Sequence, residues 1–77
     1  MQAKEDKKKR MDIEGDIIKH LSEIKSLSDS GASLIDKGGR SNEDDISKAF
    51  DLSDQIFEKL DVIRDLLFEL EDTLEVN

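Results

Sequence analysis

From Asn42 to Val76 the chain contains neither proline nor glycine, and apolar residues return every three or four positions throughout. Counting from Ile46, these positions read Ile46, Ala49, Ser53, Ile56, Leu60, Ile63, Leu67, Leu70 and Leu74, a heptad seam with a single polar member. Such spacing marks one face of a helix. It predicts one uninterrupted helix over about 42–75, roughly 50 Å long at 1.5 Å rise per residue. The apolar stripe is also broad, with Phe50 and Phe57 on one flank of the seam and Leu52 and Leu66 on the other. One partner helix covers only part of such a stripe, so its width predicts a bundle in which each helix meets at least two others.

A second helical stretch precedes it. Ile13, Ile17, Ile18, Leu21, Ile24, Leu27, Leu34 and Ile35 recur at helical spacing, and Asp12, Glu14 and Asp16 suit the positive end of a helix dipole. A first helix over about 12–36 follows. Ser26, Ser28, Ser30, Gly31 and Ser33 weaken its middle, and either let another backbone approach closely or mark a break near Ser30; continuity is the expectation. Lys37-Gly38-Gly39-Arg40 is the clearest punctuation, with Gly38 placed to end the helix in the left-handed conformation. Ser41 or Asn42 is then the N-cap of the next helix, with Ser41-x-x-Asp44 as a capping box. A turn confined to about 37–41 makes the helices antiparallel neighbours. The expected architecture is all-α: an antiparallel hairpin over 11–77 that assembles into a four-helix bundle or a larger helical homo-oligomer. Residues 1–10, basic at Lys7-Lys8-Lys9-Arg10 and without an apolar stripe, read as a flexible tail.

Charge narrows the function. The formal net charge is -8 and it is concentrated in the second half, where twelve Asp and Glu face three Lys and Arg. Direct nucleic-acid or anionic-membrane binding is disfavoured by that balance. No apolar run approaches the roughly 20 residues of a membrane span, so a cytoplasmic location is expected. The chain has no cysteine, which removes disulfides and thiolate metal sites.

The candidate surfaces all lie on the long helix. Ile46, Phe50, Ile56, Phe57, Leu60, Ile63, Leu66, Leu67 and Leu70 form the expected oligomer interface. Asp44, Asp51, Glu58, Asp65 and Asp72 recur every seven residues as an acidic row on the far side. With the off-seam residues Val62 and Phe68, the members Asp51, Glu58, Asp65 and Asp72 make the expected surface for a second protein, one with a basic face.

Catalytic and metal chemistry find little footing. Glu58-x-x-Asp61 and Glu69-x-x-Asp72 resemble the paired acids that hold Mg²⁺ in all-helical nucleotide pyrophosphohydrolases, but both pairs share one helix and Glu58 and Asp72 belong to the outward row. Glu43 to Asp54 has the look of an EF-hand's first helix, yet Gln55-Ile56-Phe57-Glu58 follows in place of a calcium loop. His20 is the single histidine and forms no nucleophilic constellation. No catalytic residue, metal ligand or cofactor is expected. The leading expectation is a non-enzymatic protein-binding module: an adaptor, a chaperone-like partner or an inhibitor. A nucleotide or small-ligand binder using Arg40, Ser41 and residues 28–33, and a metal-dependent nucleotide hydrolase, are the alternatives.

Overall fold

The computed structural model describes the backbone of residues 2–75 and the side chains of residues 7–74. Met1, Val76, Asn77 and the side chains of residues 2–6 and of Glu75 lie outside that description, and with them much of the expected tail. Two helices account for nearly all of it: α1 over Gln2–Ile35 and α2 over Glu43–Glu75. They pack side by side as an antiparallel hairpin measuring 60 × 14 × 13 Å.

α1 is continuous through Ser26–Ser33, so the small residues do not break it. A methyl group added at Gly31 would stand 3.9 Å from Leu52 Cδ1, an ordinary contact, so no close backbone approach demands glycine there. Residues 2–10, expected to stand apart from the hairpin, continue the same helix. Lys, Glu and Arg are good helix formers and extend α1 without an apolar face of their own.

The corner differs from the expected cap in one respect. Asp36 N–H donates to Ala32 O at 2.8 Å as the last helical bond, and Arg40 N–H donates to Lys37 O at 3.2 Å across the two glycines. Gly38 and Gly39 take φ of 61° and 83°. That is the pattern of a type I′ turn, which needs positive φ at both central positions and so selects glycine. The left-handed Gly38 is present as read from the sequence, but it belongs to the turn, because α1 has already closed at Ile35.

The α2 capping box also lies one residue beyond the expected one. Asp45 N–H donates to Asn42 Oδ1 at 2.9 Å, and Asn42 N–H donates to Asp45 Oδ2 at 3.1 Å. Asn42 and Asp45 thus satisfy each other's backbone donors, where Ser41 and Asp44 were the expected pair. Lys37 Nζ lies 2.8 Å from Asp45 Oδ2, tying the turn to the first turn of α2. Its ammonium and the Asn42 backbone donor hold the Asp45 carboxyl below its ordinary pKa.

The core is small. Among the described residues only Ile13, Ile17 and Ile63 are buried apolar side chains, with Ile24, Leu66 and Leu70 packed around them.

Candidate interaction surface

The side chains of α2 that turn toward α1 are Asp45, Ala49, Leu52, Ile56, Lys59, Ile63, Leu66, Leu70 and Thr73, each buried or half-buried. The expected seam is therefore corrected in five of its nine members. Ala49, Ile56, Ile63 and Leu70 do face α1, but Ile46, Ser53, Leu60, Leu67 and Leu74 are exposed, and Leu52, Lys59 and Leu66 take their places. Two apolar stripes share the line through Ile56 and Ile63, and α1 docks on the less apolar one. There it meets counter-charges: Lys59 Nζ donates to Glu23 Oε2, and Lys37 pairs with Asp45. Hydrogen bonding to Lys59 is the main cause holding the Glu23 carboxyl below its ordinary pKa. His20 Nδ1, 3.6 Å from Glu23 Oε2, is buried beside this pair without a hydrogen-bond partner.

Docking on that side leaves the other stripe open. On α2 it comprises Ile46, Phe50, Phe57, Leu60, Leu67 and Leu74, all exposed, with Phe50 at 68% and Phe57 at 65%. α1 carries a matching exposed stripe through Met11, Ile18, Leu21 and Ile35, with Ser28 and Ala32 between. In heptad terms, with Ile56 and Ile24 at position a, both stripes occupy positions b and e. An antiparallel pair brings the e positions of its two helices to the same side, so the stripes merge into one flank of the hairpin. Ile18, Leu21 and Ile35, read from the sequence in one stripe with Ile13, Ile17 and Ile24, are separated from them by the structure and left exposed, and Met11 joins them unforeseen.

The flank is large for a surface left to water. Phe50 and Phe57 by themselves open on the order of 250 Å², given the roughly 150–250 Å² an aromatic side chain can bury. The largest apolar patch of an ordinary monomer is about 300–600 Å² in all. Ten of the twelve exposed large apolar side chains among the described residues lie on this one flank.

The expected oligomer set thus divides: Ile56, Ile63, Leu66 and Leu70 hold the hairpin together, while Ile46, Phe50, Phe57, Leu60 and Leu67 remain open. The expected partner set is exposed throughout. Asp51, Glu58, Asp65 and Asp72 project from position c, about 130° around the helix from the apolar flank at 100° per residue. Phe68 lies under the Arg64 guanidinium, 5.7 Å from ring centroid to Cζ, and Val62 stands apart on the opposite edge.

Near the turn, Asp29, Ser30, Ser33, Leu34 and Lys37 line a shallow, open depression of about 530 Å³. Arg40 and Ser41, expected to share a ligand site with residues 28–33, do not line it, and Lys37 is committed to Asp45. Among the described residues no three histidine, aspartate or glutamate side chains converge as a metal site, and no helix is long and apolar enough to cross a membrane. Comparison with protein-family models, with curated proteins and with solved structures finds no match.

Proposed function

We propose that the chain is a non-enzymatic helical binding module, an adaptor or inhibitor whose hairpin is one part of a four-helix or larger helical assembly. The observation that carries this reading is the single apolar flank, contributed to by both helices and left uncovered when they pair with each other. Three isoleucines make a thin core among the described residues, and covering the flank supplies the burial that the hairpin lacks. The acidic row points away from that flank, so it stays on the outside of the assembly and draws a second protein with a basic surface.

The test is affinity capture by the immobilised chain, with captured proteins identified by mass spectrometry. Phe57→Asp is expected to lose whatever the flank holds, and Asp51→Lys with Glu58→Lys whatever the acidic row holds. Capture that neither change alters would dispose of the reading.

A further inference from the structure

We infer that the occupant of the apolar flank is a second copy of the chain, the two hairpins meeting flank to flank about a two-fold axis as a four-helix dimer. This rests on the reading of the flank as a protein-binding surface and names what it binds.

Area is the first reason. The folded chain exposes 6301 Å². A compact monomer of this mass would expose about 4,700 Å², so the hairpin carries a surplus on the order of 1,600 Å². A stable dimer removes about 800 Å² from each partner, which the flank can supply while leaving the acidic row in water.

Charge is the second. The chain as a whole carries -8, but the charged side chains at the flank's b and e positions among the described residues are Lys7, Glu14, Lys25, Glu43, Arg64 and Glu71, three of each sign. A flank that is neutral and apolar can meet itself, as an interface between identical patches must. A basic partner would instead be drawn to the acidic row, on another side of the hairpin. Shape is the third: the flank is a two-helix layer, and a second such layer laid on it gives every helix two neighbours.

Sedimentation equilibrium of the full chain at micromolar concentration tests this, with helical content followed by circular dichroism. A dimer is expected, weakened about tenfold or more by Phe50→Lys and by Phe57→Lys, and not weakened by Phe68→Lys, which makes the same charge change outside the flank. Both flank changes lower the net negative charge and so reduce repulsion between copies; weakening then comes from lost packing and from burying an ammonium in an apolar interface. Retained helicity in these exposed-site variants separates dissociation from unfolding. A helical monomer, a trimer or larger species, or equal sensitivity to Phe68→Lys would overturn the inference. A monomer that still captures a different protein through Phe57 would overturn the second copy and leave the binding module standing. Monomeric protein whose capture is indifferent to Phe57 would end both.

Discussion

Gly31 sits at a seam position about one turn from the C-terminal end of α1, facing Leu52 with room for a methyl group. A glycine inside a helix costs about 1 kcal/mol relative to alanine, because the unfolded chain has more backbone freedom to lose. Gly31→Ala adds a small apolar group where the seam can take it and removes that cost. Its thermal unfolding midpoint is expected to rise by about 4–8 °C at matched protein concentration. A lower midpoint would mean that Leu52 cannot give the space. The same residue shows what a sequence conceals: small residues at seam spacing suggest close approach, and only the distance to the facing side chain tells a needed glycine from a tolerated one.

At the scale of elements, the corner and the start of α2 are joined through Asp45, which accepts from Asn42 and Lys37 at once. Its pKa is lowered in the fold, so its charged form is the one the fold favours. The contribution is present above the unfolded value of about 3.9 and is lost as pH falls through the lowered folded one. Asp45→Asn is therefore expected to unfold at a lower temperature than the parent at pH 7, with the gap shrinking as pH falls below about 4. A gap that stays constant with pH would show that the charge on Asp45 is not what binds the turn to α2. Much at this scale was legible beforehand: two long helices, a diglycine corner and an acidic first turn follow from periodicity, glycine and capping residues. The capping box was misplaced by one position because Ser41 and Asn42 are both good caps and each has an acid three residues on. The facing stripe was misread because Lys59 and Asp45 look unfit for a seam. Both are accommodated by partners on other segments, Glu23 and Lys37, that local spacing does not reveal.

For the whole molecule, the proposed dimer sets two free energies of opposite sign against each other. Covering the flank removes apolar surface from water, while bringing two chains of charge -8 together costs electrostatic work. Salt screens the second over about 8 Å at physiological strength and leaves the first largely intact. Association of like-charged copies should then strengthen with salt, whereas binding of a basic protein to the acidic row should weaken. Because a dimer that unfolds to separate chains is stabilised by its own concentration, its unfolding midpoint should rise by a few degrees for each tenfold increase in protein. A second rise is expected when sodium chloride goes from about 50 to 500 mM at fixed protein, since the Debye length falls from above 10 Å toward 4 Å over that range. Phe57→Lys should shift the dependence on protein concentration to about tenfold or more higher protein and shrink the dependence on salt. A midpoint indifferent to protein concentration over two decades would show that the hairpin melts alone, with its phenylalanines in water before and after.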